Sequence, residues 1–116
     1  MLFRVDSAST LSLADQIATQ VRGGVVSGEL APGERLPAAR ELARALHVNM
    51  HTVLRAYARL REEGLIEMRQ GRGAWVRPEA TGAMVRVNEL AAQLAVEARK
   101  LGLSPREIAG LVERAC

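Results

Sequence analysis

Apolar residues recur at helical spacing through the first half of the chain, and this pattern predicts three helices. The first begins after Ser12 and carries one apolar stripe, formed by Leu13, Ile17, Val21 and Val25. The second covers about residues 38–46. The third covers about residues 50–63, with Asn49 suited to its N-cap and Gly64 to its end. The tight connection between the second and third helices predicts a helix-turn-helix.

The hydrophobic period changes after Gly64 from helical to strand-like. Two short strands are predicted at residues 65–69 and 74–77, joined by the glycine-rich turn QGRG at residues 70–73. A hairpin that directly follows a helix-turn-helix is the layout of a winged helix-turn-helix. We assign this DNA-binding domain to residues 1–78.

The helical period returns after a linker at residues 78–82. A helix is predicted at about residues 84–101, and Ser104 with Glu107 predicts a capping box at the start of a last helix. We assign these two helices to a tail at residues 83–116. The predicted fold class is therefore mainly α with a small β-hairpin: a winged helix-turn-helix followed by a short two-helix C-terminal dimerisation region.

Polar side chains gather at the front of the third predicted helix, where they comprise Asn49, His51, Thr52 and Arg55. The later helix of a helix-turn-helix enters the DNA major groove with its N-terminus first, so these side chains are candidates for contacts with bases and phosphates. The alternative is that Asn49 and Thr52 only cap the helix and that Arg55 is solvated, because any surface helix has a polar face.

Composition adds a basic character that arises almost wholly from arginine. The formal net charge is +3, the pI is about 10.0, and Lys100 is the only lysine. Arginine binds phosphate and guanine through paired hydrogen bonds, which suits a nucleic-acid partner. The lone Cys116 excludes a disulfide framework within the chain. Residues 1–10 have little pattern, so we expect an extended lead-in. They do not resemble a signal peptide, and no apolar run is long enough to span a membrane, so we expect a cytoplasmic protein.

The run LPAARELARALHVNMHTVLRAYARLREEGLIEMRQGRGAWV, residues 36–76, resembles the DNA-binding domain of the GntR family of bacterial transcription regulators. The shared pattern is L-P-S-x-R-x-L-A-x-x-L-x-V, then a recognition helix, E-G-L-I and a G-x-G-x-x-V wing. The segment VNMHTVLRAYARLREEGLI is similar to the YtrA-type subfamily, and a short helical tail is typical of that subfamily too. The resemblance implies a sequence-specific transcriptional regulator, expected to be a repressor, whose partner is a double-stranded DNA operator.

The resemblance also implies which residues contact DNA. They lie before and within the second helix, at the front of the third helix and at the wing tip, and comprise Arg35, Arg40, Asn49, His51, Thr52, Arg55, Gln70, Gly71 and Arg72. The chain departs from the family pattern at Ala38, where serine is usual and where a capping side chain is lost. It also departs at Met50, His51 and Leu54, and these positions would influence which operator is read.

The tail is expected to form a homodimer, because a helix pair with an apolar stripe needs a partner surface and a two-fold dimer suits a palindromic operator. The candidate dimerisation residues are Leu90, Leu94, Leu101, Ile108, Leu111 and Val112. The alternative is that the two helices only pack back on the winged domain. The tail is also a candidate site for a small-molecule effector; an apolar ligand, a polar metabolite and no ligand at all stay open.

Other classes of function have less support. His47 and His51 are four residues apart, but the turn at Val48 and Asn49 interrupts them and no third ligand is close, so we expect no metal site. We likewise expect no catalytic residue and no cofactor. The remaining alternative is a winged-helix module that binds protein or RNA. A DNA partner predicts that Arg35, Arg40, Arg55, Arg69 and Arg72 form one continuous surface, whereas scattered arginines favour the alternative.

Overall fold

The computed structural model describes residues 1–69 and 72–116, so Gln70 and Gly71, predicted to contact DNA, lie outside the described residues. Within the described part, the chain forms five α-helices and three short strands. In chain order they are α1 (Leu13–Ser27), β1 (Arg35–Leu36), α2 (Ala39–Leu46), α3 (Met50–Glu62), β2 (Ile66–Arg69), β3 (Gly73–Val76), α4 (Gly82–Lys100) and α5 (Pro105–Ala115). This is the predicted fold class, a helix-turn-helix followed by a wing and two further helices.

The chain divides into two compact units, Met1–Val85 and Arg86–Cys116. The first contains the helix-turn-helix and the wing, and it ends inside α4. The sequence suggested a functional boundary in the linker at residues 78–82, and that assignment stays a prediction. None of the helices in the described ranges has the length and apolar character needed to cross a bilayer.

The predicted N-caps of α1 and α3 are present. The hydroxyl of Ser12 accepts the backbone N–H of Asp15 at 3.1 Å, and the side-chain oxygen of Asn49 accepts the backbone N–H of His51 at 2.8 Å. Each bond satisfies one of the free N–H groups in a first helical turn. Ala38 occupies the N-cap of α2 and makes no side-chain capping bond, as the departure from the family serine predicts.

The three strands form one antiparallel sheet in the order β1-β3-β2. Strand β1 was not among the strands predicted from the sequence, and pairing with β3 makes it the third strand. Arg35 of β1 and Glu67 of β2 are both opposite Trp75 of β3, on the two sides of that strand. The sheet therefore links the segment before α2 to the wing.

The core of the first unit lies between α1, α3 and the sheet. Its largest fully buried side chains are Tyr57, Ile17, Leu36, Leu60, Leu65, Ile66, Val21, Val53, Val76 and Val85. On α1, Gly24 allows a close approach, because a Cβ at that position would lie 2.9 Å from Leu30 Cδ1 and from Met1 Sδ. A bidentate ion pair between Arg22 and Glu63 further joins α1 to the end of α3.

The N-terminal lead-in is part of this core, which its weak sequence pattern did not indicate. Phe3 is buried among the core side chains. Gln20 and Gln16 of α1 hold the flanking backbone, because their side-chain oxygens accept the N–H groups of Arg4 at 2.8 Å and Asp6 at 2.7 Å. The extended backbone thus obtains partners from side chains on α1.

The second unit contains the rest of α4 and all of α5. The predicted capping box is present: the Ser104 hydroxyl accepts the Glu107 N–H at 3.2 Å, and the Glu107 carboxylate accepts the Ser104 N–H at 3.1 Å. The bond from the Ser104 N–H to the carboxylate lowers the pKa of Glu107, and the interaction of the carboxylate with the Ser104 side chain lowers it further. Ala98 is buried, whereas α5 has no fully buried residue. The two helices thus leave much of their apolar surface exposed.

Candidate nucleic-acid interface

A groove of about 740 Å³ lies in the first unit between the start of α2, one side of α3 and the wing. Its basic lining residues are Arg35, Arg40, Arg61, Arg69 and Arg72. No acidic side chain is among the described residues that line it. Clefts with one sign of charge concentrate the field, and guanidinium groups match the geometry of phosphate oxygens. The groove can therefore hold a phosphodiester strand.

Four parts of the fold deliver these arginines: β1, α2, α3 and the wing. Arg40 is the second residue of α2, and Arg61 lies in the last turn of α3. Arg69 and Arg72 lie on the two sides of the wing turn, and Arg35 lies in β1. The predicted surface is thus assembled for Arg35, Arg40, Arg69 and Arg72, which the fold brings together from positions far apart in the sequence.

Tyr57 fixes the relative position of α2 and α3. Its buried hydroxyl donates to the carbonyl oxygen of Pro37, just before α2, at 2.7 Å. Burial raises the pKa of Tyr57, and the nearby negative charge of Glu41 raises it further, so the hydroxyl keeps its proton. This bond holds the segment that leads to Arg40 against the helix that carries Arg61.

Arg35 reaches across the wing. Its Nη2 donates to the carbonyl oxygen of Arg72 at 3.2 Å. Gly73 has a φ of +106°, and a Cβ at that position would lie 3.4 Å from the Nε and Nη2 atoms of Arg35. Glycine at this position therefore permits both the positive φ and the close approach of the Arg35 guanidinium. Arg35 has a structural role in the wing in addition to the phosphate contact predicted for it.

Trp75 lies between two of the groove arginines. Its ring centre is 5.8 Å from Cζ of Arg35 and 5.2 Å from Cζ of Arg69. Both distances are within the range of cation–π attraction. Arg69 also donates from Nε to Glu67 Oε1 at 3.0 Å. The side chains from all three strands thus form one layer that orients two guanidinium groups on the wing.

The four polar residues at the front of α3 have different environments, whereas the sequence suggested one group of DNA contacts. His51 and Arg55 are exposed but do not line the groove. The side-chain oxygen of Asn49 is engaged as the N-cap. Thr52 is only 7% exposed, and its hydroxyl accepts a long bond from Arg55 Nη2 at 3.4 Å. Burial does not favour the direct DNA contact predicted for Thr52; the geometry fits a residue that packs and braces Arg55.

Sequence reasoning missed two residues of this surface, Arg61 and Trp75, and it named Leu54 only as a position that influences which operator is read. Helical spacing contains a signal for Arg61, because Met50, Leu54, Tyr57 and Arg61 are separated by four, three and four positions and all line the groove. Trp75 carries a weaker signal. It alternates with the buried Ala74 and Val76, which indicates the outer face of the sheet.

The histidines do not form part of a metal cluster in the described residues, where no group of three or more metal-binding side chains is found. His47 instead ends α2 with a left-handed backbone, at φ 56° and ψ 43°.

The candidate dimerisation residues all lie in the second unit. Leu101 is 78% exposed, Leu90, Leu111 and Val112 are exposed to smaller extents, and Leu94 and Ile108 are half-buried. A shallow pocket of about 350 Å³ is lined by Leu94, Glu97, Ala98, Lys100, Leu101, Leu103 and Leu111. Exposed apolar surface of this kind fits a protein interface or an apolar ligand.

Comparisons with known proteins agree with this geometry. Residues 13–76, more than half of the chain, match the family model described as bacterial regulatory proteins, gntR family. Over 107 residues the chain is 33% identical to the HTH-type transcriptional repressor YtrA of Bacillus subtilis, which covers 88% of this chain and 82% of that protein.

Two solved structures extend the comparison. YtrA from Sulfolobus acidocaldarius, a GntR-family transcription factor, superimposes with a TM-score of 0.61 at 33% identity, covering 96% of this chain and 93% of that chain. AraR(DBD) in complex with operator ORX1 superimposes with a TM-score of 0.56 at 25% identity, covering 65% of this chain and 95% of that chain.

Proposed function

The chain belongs to the GntR family of bacterial regulatory proteins, and from this membership we propose that it is a homodimeric repressor that binds a palindromic operator. The coarser function follows directly from the family: the chain is a DNA-binding transcriptional regulator and not an enzyme. The proposal concerns how it meets DNA, how it is assembled and what binding does to transcription.

The arginine groove is the observation that carries the proposal. We place one phosphodiester strand in the groove, with Arg40 and Arg61 on one side and Arg69 and Arg72 on the other. The front of α3 then enters the neighbouring major groove, where His51 and Arg55 meet base edges. The wing tip, including Gln70 and Gly71, lies over the adjacent minor groove. The likeness to AraR(DBD) in complex with an operator supports this use of the fold.

Dimerisation through α4 and α5 completes the proposal. The exposed Leu90, Leu101, Leu111 and Val112, together with Leu94 and Ile108, would be covered by a second copy of the chain. A two-fold dimer presents two reading helices, so each would bind one half of a palindrome. This arrangement explains why a short tail keeps so much apolar surface exposed in one chain.

The repressor role rests on the relative in Bacillus subtilis that carries that name. A dimer on a promoter would block transcription by occupying the site, in the bacterial cytoplasm where chromosomal DNA lies. We propose that a small-molecule effector acts on the tail and changes the spacing of the two reading heads.

Selection on randomised duplex DNA tests the proposal. We expect the selection to enrich a palindromic site, and we expect the purified 116-residue chain to bind that site. Arg40→Ala should reduce affinity for the enriched duplex at least about tenfold, since a hydrogen bond to a charged group contributes about 1.5–3 kcal/mol. Arg4→Ala is the matched control, because Arg4 is exposed and does not line the groove.

Four outcomes would count against the proposal. Failure to enrich any duplex would contradict operator binding, and an enriched site without two-fold symmetry would contradict the homodimer on a palindrome. Equal losses for Arg40→Ala and Arg4→Ala would contradict the groove as the interface. A structured RNA that competes as well as the enriched duplex would favour the alternative of an RNA-binding module.

A further inference from the structure

Leu54 is an apolar side chain inside the arginine groove. It lies on α3 one turn after Met50, and both residues line the groove with Arg40 and Arg61. Leu54 is half-buried. Met50 and Met68, the two methionines of the groove, also pack against the core of the first unit, whereas the described core cluster does not include Leu54. Core packing therefore does not account for Leu54.

The position of Leu54 restricts what it can contact. It is the fifth residue of α3, within the first two turns of the helix that enters the major groove. The guanidinium groups around it are placed on the phosphodiester strand in the groove. Leu54 lies on the α3 side, next in sequence to Arg55, which we place in the neighbouring major groove. A leucine side chain offers no donor or acceptor, so it can match only an apolar feature of the duplex. The apolar feature in a B-DNA major groove is the C5-methyl group of thymine.

We propose that Leu54 is a specificity-determining residue that contacts the 5-methyl group of a pyrimidine in the major groove. Each half of the operator would then carry thymine, or 5-methylcytosine, at one fixed position. This inference rests on the proposed function and adds a rule about sequence: the positions read by arginine select for hydrogen-bonding atoms, and the position read by Leu54 selects for a methyl group.

Removal of single methyl groups from the DNA tests the contact directly. The duplex enriched by the wild-type chain is resynthesised with deoxyuridine in place of each thymine in turn, which removes the methyl group and keeps every hydrogen-bonding atom. We expect one symmetry-related pair of positions at which deoxyuridine weakens binding about fourfold per half-site, the effect of one buried methyl group. At that pair, cytosine should weaken binding as well.

A comparison of cytosine, 5-methylcytosine and thymine at that position shows whether the methyl group alone is recognised. If Leu54 reads only the methyl, 5-methylcytosine should bind more tightly than cytosine at that position by about the same fourfold factor. If thymine oxygen O4 is read by another side chain, thymine should still bind more tightly than 5-methylcytosine. In both cases tighter binding of 5-methylcytosine than of cytosine supports the methyl contact. Equal binding of cytosine and 5-methylcytosine together with no deoxyuridine effect would overturn it.

Protein variants assign the effect to Leu54. Leu54→Ala should bind the thymine and deoxyuridine duplexes equally, and Leu54→Met, which keeps an apolar contact, should retain part of the difference. Val26→Ala is the matched control, because Val26 is 60% exposed on α1 and does not line the groove. Circular dichroism would check that each variant is folded. If Leu54→Ala does not fold, Leu54→Met still tests the contact.

The results separate this inference from the proposed function. If no duplex is enriched, operator binding fails and the role of Leu54 fails with it. If an operator is enriched but deoxyuridine has no effect at any thymine, only the methyl contact is wrong. If Leu54→Ala shows the same loss with deoxyuridine as the wild-type chain, the methyl is read by another residue and the assignment to Leu54 is wrong.

Discussion

At the scale of single residues, the candidate interface contains side chains that hold other side chains as well as side chains that we propose to contact DNA. Trp75 lies between Arg35 and Arg69, and Tyr57 fixes the segment before α2. A flexible arginine loses conformational entropy when it binds phosphate, so a side chain that is already oriented binds at a smaller cost. These supporting residues should therefore change affinity without changing the number of phosphate contacts.

Replacement of Trp75 tests this distinction. Trp75→Leu keeps an apolar side chain but removes the aromatic face, and each cation–π interaction contributes about 0.5–1 kcal/mol at exposed sites. We expect affinity for the enriched duplex to fall by up to about fivefold to thirtyfold, the sum of the two interactions, with an unchanged dependence on salt concentration. Trp75→Phe should restore part of the affinity. A salt dependence that falls with the affinity would mean that phosphate contacts themselves are lost.

Arg72 should show the opposite behaviour. It is exposed at the wing turn and lines the groove, so we expect a direct phosphate contact. Arg72→Ala should lower the slope of log affinity against log salt by about 0.9 for each contact removed, in both enriched and unrelated duplexes. Fluorescence anisotropy over a range of salt concentrations measures the slope, with Arg4→Ala as control. An unchanged slope would mean that Arg72 does not contact a phosphate group.

At the scale of elements, local sequence signals predicted most of the structure. The caps at Ser12, Asn49 and Ser104 are present, because a capping bond joins residues only a few positions apart and can be read from a short segment. The pairing of β1 and the burial of Phe3 were not predicted. Both depend on partners far away in the sequence, which local periodicity does not reveal.

The missing cap of α2 gives a prediction about stability. Ala38 already has the extended backbone of an N-cap, with φ −60° and ψ 147°. Ala38→Ser should supply the missing acceptor and raise the free energy of unfolding by about 1 kcal/mol. Urea denaturation of the 116-residue chain measures the change in the free energy of unfolding.

The control for this cap is the same substitution inside the same helix. Ala45 is exposed near the end of α2, where serine has a lower helix propensity than alanine. Ala45→Ser should therefore reduce the free energy of unfolding by a few tenths of a kcal/mol, and by no more than about 0.5 kcal/mol. Equal effects at the two positions would show that the N-cap geometry is not what limits α2.

At the scale of the whole molecule, the arrangement of the arginines is a tertiary property. The sequence identified Arg35, Arg40 and Arg72 through the family resemblance, but Arg61 joins them only because α3 turns that side toward the wing. The placement of Thr52 was equally hidden, since a polar residue in the first turn of a helix can face either solvent or core. Assembly with a second copy is a further step that one sequence does not specify.

A single charge in the tail tests that assembly. Leu101 is 78% exposed in one chain, so Leu101→Glu should leave the monomer folded, but it would bury an unpaired carboxylate in the proposed dimer. We expect sedimentation to give a monomer at concentrations where the wild-type chain is a dimer. Affinity for the full palindrome should fall about 100-fold or more, because the second half-site is no longer bound by a linked partner. Affinity for a duplex with one half-site should be unchanged.

Val26→Glu provides the matched control for this charge. Val26 is 60% exposed in the first unit and is not a candidate dimerisation residue, so the same change there should leave both assembly and operator binding intact. If the Leu101→Glu chain remains a dimer, Leu101 does not lie in the dimer interface. A monomer that still binds the palindrome as tightly as the wild-type chain would separate dimerisation from operator recognition, because the two half-sites would then contribute nothing to each other.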